Sequence, residues 1–123
     1  DLENGWRFVI KPLEYDPRDY DQLVFPDEDF RVWVDRDALL GSAVLRVREE
    51  GDLISPLGMG GQSMKVADMM INEKIPALYR DRWPVLAAGS AVMWVPGARL
   101  SQEAGVTQRT SSLLELAFIR KRS

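Results

Sequence analysis

Histidine and cysteine are both absent from the 123 residues, and each absence removes a body of chemistry. Without histidine there is no Ser-His-Asp or Cys-His nucleophile, and without cysteine there is no thiolate chemistry. Together they exclude a His/Cys zinc site. Disulfides are equally impossible, so the core must hold unstapled and the redox compartment is left open. Long hydrophobic runs are missing too. The most apolar stretch, Val85 to Ala98, is interrupted by Gly89, Ser90, Pro96 and Gly97, whereas a membrane-spanning helix needs about 20 consecutive apolar residues. What remains is ordinary for a soluble globular protein: 46% hydrophobic, 28% charged, and a length that suits one domain. The chain begins at Asp1 with no signal or transit pattern, so it reads as a domain excised from a larger cytoplasmic protein.

The net charge is −3, which on its own argues weakly against nucleic acid as a partner. That figure conceals an uneven distribution. Residues 1–52 carry 14 acidic and 7 basic side chains, and residues 53–123 carry 5 acidic and 9 basic ones. Such asymmetry points to two surfaces facing different partners; an acidic solvated edge is the plainer alternative.

The first third alternates at period two, as strands do. Trp6, Phe8 and Ile10 share one face, and so do Phe30, Val32 and Val34. In Ala43–Arg48 the same rule turns Leu45 and Val47 inward and sets Arg46 and Arg48 on the opposite face. The Tyr/Asp/Pro-rich connection from Tyr15 to Asp29 reads as loop with a short strand at Leu23–Phe25. Asp35 to Gly41 suits one helical turn closed by glycine.

Farther on the pattern changes. Glu50-Gly51-Asp52 is a turn and Pro56–Gly61 a glycine-rich loop. Ser63 is placed to cap a helix running through about Lys74. At 100° per residue Val66, Ala67, Met70 and Ile71 face one side, Lys65, Asp68 and Asn72 the other, and Met69 sits at the rim. Pro76 can open a second short helix, Ala77 to Arg82, which Pro84 ends. Val85–Ala88 and Ala91–Val95 then flank Gly89-Ser90 as a hairpin. The alternation of Leu114, Leu116 and Phe118 with Leu113, Glu115, Ala117 and Ile119 marks a last strand buried on both faces, before the basic tail Arg120-Lys121-Arg122.

Several groups are candidates for chemistry. The carboxylates Asp16, Asp19, Asp21, Asp27, Glu28, Asp29, Asp35 and Asp37 lie in polar, loop-like stretches, whereas an acid/base pair needs two carboxylates in different environments, one of them buried. Solvated surface is the plainer reading, with a casual magnesium site as the alternative. Gly58–Lys65 lacks the G-x-x-x-x-G-K-[ST] order of a P-loop, leaving a turn and capped helix or a simple anion site. Arg46, Arg48, Lys65, Lys74, Arg80, Arg82 and Arg99 form a phosphate-holding patch if the fold presents them together, with Tyr79 and Trp83 nearby as stacking surface. The alternative is local pairing with Asp68, Glu73 or Asp81. Trp83 and Trp94, in apolar or proline surroundings, read as core, and the five methionines as packing.

Read in order, Arg46–Asp52, Pro56–Gly61, Lys65–Asp68, Asn72–Pro76, Arg80–Pro84 and Trp94–Arg99 closely resemble the C-terminal domain of bacterial tRNA(Ile)-lysidine synthetase over roughly residues 38–118. The resemblance implies an α+β, β-rich fold of sandwich-like mixed sheets with two short helices in the middle, similar to a module of the phenylalanyl-tRNA synthetase β chain. It implies a lead-in segment at 1–37, the family domain at 38–119 and a basic tail at 120–123. Members of that family attach lysine to the wobble cytidine of an isoleucine tRNA, using ATP and magnesium in an N-terminal domain with an SGGxDS loop. No such loop occurs in this chain. The resemblance therefore implies a non-catalytic part of an ATP-dependent ligase that positions the acceptor-stem side of tRNA(Ile). The parent's catalytic domain is its other implied partner, and a homodimer of the parent is left open. Phosphate contacts fall by resemblance on Arg46, Arg48, Lys65, Lys74, Arg80, Arg82 and Arg99, with no catalytic or metal residue and no cofactor in the chain itself. Where many relatives carry adjacent lysines, this chain has Ser63-Met64-Lys65 and one positive charge.

Overall fold

The computed structural model describes residues 6–39 and 43–120, the side chain of Arg120 excepted. Gly41, expected to close a helical turn, and the Lys121-Arg122 tail lie outside them. The chain forms two units, residues 1–38 with 105–123, and residues 39–104. The family domain expected from the sequence spans parts of both.

The first unit is a three-stranded antiparallel sheet, ordered β1-β9-β2, from β1 (Trp6–Leu13), β2 (Arg31–Asp35) and β9 (Leu113–Arg120). Strand β9 is central, which explains its apolar run: Leu113, Leu116, Ala117 and Phe118 are buried. Phe8 stands opposite Phe118, their rings 5.0 Å apart, and Trp6 meets Phe30 at 5.4 Å. Glu115, the one acid in β9, is held across the β2 register by Arg31 Nη1 at 2.9 Å and Trp33 Nε1 at 3.2 Å. Period-two reading holds at Val34, which is fully buried, but not at Ile10, which is exposed. The expected strand at Leu23–Phe25 is absent. A 3-10 helix instead covers Pro17–Gln22, with the Asp16 side chain accepting from Arg18 N. Short helix α1 (Arg36–Leu39) follows β2.

The second unit holds β3 (Val44–Val47), β4 (Leu53–Ile54), β5 (Met64–Lys65), α2 (Val66–Asn72), α3 (Ala77–Arg80), β6 (Pro84–Ala88), β7 (Ala91–Val95) and β8 (Arg99–Leu100). Its mixed six-stranded sheet runs β3-β6-β7-β4-β5, with β8 also on β7 and the β4–β7 pair parallel. Hairpin β6–β7 turns at Gly89, whose φ of 62° suits a residue without Cβ. The core gathers Ile54, Val66, Met69, Met70, Ile75, Val85, Ala87, Val92 and Val95. Trp94 is buried, and half-buried Trp83 donates its indole N–H to Pro96 O at 2.8 Å.

Two expectations about the middle of the chain are overturned. The helix does not start at Ser63: Met64 and Lys65 pair with Ile54 and Leu53 as strand β5, so Lys65 becomes the N-cap and no side chain caps. Pairing with β4 wins over a capping serine because it satisfies the backbone of two residues at once. The buried side of α2 is also rotated. Met69 is 2% exposed and Ile71 53%, since a helix beginning at Val66 packs Val66, Met69 and Met70 at i, i+3 and i+4. Of the methionines, Met59 is exposed rather than packed.

Chemical denaturation distinguishes the two orientations of α2. Met69→Ala is expected to cost about 2–5 kcal/mol, and Ile71→Ala about 0.5 kcal/mol or less. Equal losses would contradict this packing.

Candidate nucleic-acid interface

The site is built around the turn that joins β3 to β4. Gly51, at φ 89°, lets the chain reverse there, which brings Asp52 back onto Arg46. The carboxylate of Asp52 is 3% exposed and accepts from Arg46 Nη1 and Nη2, both at 2.8 Å. It also accepts from Glu49 N at 2.8 Å. Arg46 Nη2 donates further to Gly89 O at 2.9 Å, and Asp52 O receives Val66 N at 3.0 Å. One buried pair therefore joins the β3–β4 turn, the β6–β7 hairpin and the start of α2. Burial by itself would raise the Asp52 carboxyl. The hydrogen bonds from Arg46 and Glu49 N, with the charges of Arg46 and Arg48, outweigh it and hold the group below its ordinary value. Sequence periodicity set Arg46 outward and Val47 inward; the structure reverses both, leaving Arg46 half-buried and Val47 exposed. The signal available was a glycine turn placing an acid six residues after an arginine.

Beside this turn lies a cleft of about 520 Å³, lined by Arg48, Glu49, Glu50, Gly51, Asp52, Lys65, Ala67 and Asp81. Arg48 Nη2 donates to Asp81 Oδ1 at 2.7 Å, while Arg48 Nε is buried with no hydrogen-bond partner among the described residues.

The end of α2 presents a second feature. Ile75 N bonds to Met70 O and Lys74 N to Ile71 O, both at 3.0 Å, the paired bonds of a Schellman motif. Buried Met70 and Ile75 supply its apolar contact. The left-handed position of that motif, normally glycine, is Lys74 at φ 62°. Arg80 Nε donates to Ile75 O at 2.8 Å, tying α3 to the same corner. Arg99 pairs with Glu73 at 3.2 Å.

The seven expected cations thus divide. Arg46 and Arg80 are engaged in the frame, and Arg48 and Arg99 are in ion pairs with partly exposed partners. Lys65, Lys74 and Arg82 are exposed and form no ion pair among the described residues. Tyr79, about half exposed, and Leu78 stand between Lys74 and Arg82 on α3. Residues 39–104 hold seven acidic and seven basic side chains, so the net −3 belongs to the other unit. No group of three or more acidic side chains suited to a metal ion occurs among the described residues, and no described helix is long and apolar enough to cross a membrane.

These features define a strand-rich α+β domain whose distinctive side chains are cations set on turns and short helices. The TilS substrate C-terminal domain family matches residues 43–116, and the chain belongs to it. Among its relatives, the tRNA(Ile)-lysidine synthase of Caldanaerobacter subterraneus subsp. tengcongensis is 36% identical over 97 residues, 79% of this chain and 21% of the relative. That of Symbiobacterium thermophilum is 44% identical over 72 residues, 58% of this chain and 14% of the relative. That of Bacillus subtilis is 33% identical over 101 residues, 81% of this chain and 20% of the relative. The chain thus spans about a fifth or less of the length of these curated relatives. The crystal structure of a TILS C-terminal domain superposes with a TM-score of 0.77 at 25% identity, covering 99% of this chain and 89% of that one.

Removing the acid from the Arg46–Asp52 pair strands a largely buried guanidinium, so Asp52→Ala is expected to lose about 3–5 kcal/mol of folding stability. Because the folded carboxyl sits below its ordinary value, its contribution is complete above the unfolded pKa and is lost as pH falls through the lower folded value. Acid titration of stability is expected to show that decline in the wild type and a flatter profile in Asp52→Asn. An unchanged profile would contradict the assignment.

Proposed function

We propose that this chain is the tRNA-docking domain of a tRNA(Ile)-lysidine synthase. It grips the acceptor-stem side while the lysine-to-cytidine ligation, with ATP and magnesium, proceeds in a catalytic part outside the chain. Lys74 is the observation that carries the reading. A non-glycine residue in the left-handed region costs about 1–3 kcal/mol, and at this helix end glycine would avoid that cost. A lysine there sets an exposed ammonium, with no ion pair among the described residues, on the corner to which Arg80 ties α3. Such a corner suits A-form RNA, which is held through phosphates and shape more than through base edges. Lys65, Lys74 and Arg82 are the outward contacts, Arg48 and Arg99 exchange their acidic partners for phosphate, and Arg46 and Arg80 hold the frame.

A second reading, a domain that packs on the parent's catalytic part and touches RNA little, draws on Val44 and Val47. Both are about half exposed on β3, at the edge of its sheet.

Titrating the 123-residue chain with a tRNA(Ile) transcript across a salt series separates the two. The docking reading predicts affinity that falls as salt rises, and a slope about one unit shallower for each phosphate contact removed in Lys74→Ala and Arg82→Ala. Lys74→Gly is expected to weaken RNA binding while raising folding stability by about 1 kcal/mol or more. Salt-independent or undetectable binding would favour the packing reading.

A further inference from the structure

Arg48 is engaged in an incomplete way. Its guanidinium can offer Nε and Nη2 as a parallel fork to two oxygens of one anion. Asp81 takes the Nη2 bond at 2.7 Å, yet Nε stays buried and, among the described residues, unpartnered. A buried donor left unmade is unfavourable, so the fork is complementary to something that Asp81 does not fully supply. Asp81 itself is easily moved: its side chain is 85% exposed, against 20% for Arg48, and ion pairs with so exposed a partner are weak. Lys65 lines the same cleft and forms no ion pair among the described residues. Of the acids there, Asp52 is already neutralised by Arg46, and Glu49 approaches Arg46 Nε at 3.9 Å. Glu49, largely exposed, and Glu50 are the negative groups that remain at the rim.

We infer that Arg48 and Lys65 form a subsite for one RNA phosphodiester, and that the Asp81 carboxylate holds the place of that phosphate until RNA displaces it. The inference rests on the RNA-docking reading and adds to it a named contact and a guard. Displacement leaves both Arg48 donors bonded to phosphate oxygens, with the Lys65 ammonium beside them. Glu49 and Glu50 discourage a free anion, which cannot draw on the other contacts of a docked duplex. The guard therefore screens Arg48 from stray anions and yields to a phosphate already positioned from elsewhere on the domain.

The test is a double-mutant cycle on the 123-residue chain with a tRNA(Ile) transcript at fixed salt. Asp81→Asn is expected to tighten binding about two- to fivefold, and Arg48→Ala to weaken it. In the Arg48→Ala background, Asp81→Asn is expected to have no further effect. Arg48→Lys, which keeps the charge and loses the fork, is expected to behave like Arg48→Ala. In the wild type, tRNA is expected to shift the Arg48 Nε–H nuclear magnetic resonance signal, and inorganic phosphate at equal ionic strength to leave it unmoved. If Asp81→Asn tightens binding equally with and without Arg48, Asp81 acts only by general repulsion and the guard is refuted. If Arg48→Lys binds like the wild type, or phosphate alone moves the Nε signal as far as tRNA does, the phosphodiester subsite is refuted. In each of those cases salt-dependent binding by the wild type leaves the docking function standing. Absence of wild-type binding refutes both.

Discussion

The second unit depends on one buried ion pair. Asp52 and Arg46 meet through two 2.8 Å hydrogen bonds, and their remaining bonds reach the β3–β4 turn, the β6–β7 hairpin and the first residue of α2. A buried pair of this kind gains little over a well-packed apolar pair, but losing one partner is costly. Its value here is positional. With Arg46 turned inward, the next arginine along the turn, Arg48, lines the cleft together with Lys65.

From that frame follows a division of labour among the cations. The guanidiniums of Arg46 and Arg80 serve the protein's own carbonyls and carboxylate. Those of Arg48 and Arg99 pair with acids that are at least partly exposed and so remain exchangeable. Lys65, Lys74 and Arg82 face solvent. Seven basic residues in a sequence look alike; only their partners sort them. The domain's charge behaves likewise. Acids and bases balance in residues 39–104, so any pull on RNA must come from where cations are placed rather than from a basic excess.

Much of the fold was legible because strands declare themselves through side-chain alternation and glycine turns through backbone need. The β6–β7 hairpin, the last strand β9, the start of short helix α3 and the core positions of Trp94 and Val34 follow from pattern alone, although α3 ends at Arg80 rather than the expected Arg82. The failures share a cause. Ser63 looked like a cap because its local chemistry is right, but pairing of Met64 and Lys65 with β4 is a long-range event that no local rule reports. The rotation of α2, hence the burial of Met69 and exposure of Ile71, follows from that shifted start. At β3 the two-residue period misplaced Arg46, since a charge compensated by Asp52 can point inward where an uncompensated one cannot. Of the candidate site, the sequence identified the cations but not their partners: Lys74 was recognisable as a cation, while its left-handed backbone emerges only with the end of α2 in place.

The central claim is that RNA meets this domain at the cations around β5, α2 and α3, and the most direct measurement is a residue-by-residue footprint. Backbone amide resonances of the isotopically labelled chain, followed during addition of a tRNA(Ile) transcript, locate the contact without any substitution. The account predicts perturbations centred on residues 48, 65, 74–82 and their neighbours, with the acidic segment 16–29 unmoved. Perturbations confined to that acidic segment or to β1, or none at a large excess of the transcript, would contradict it.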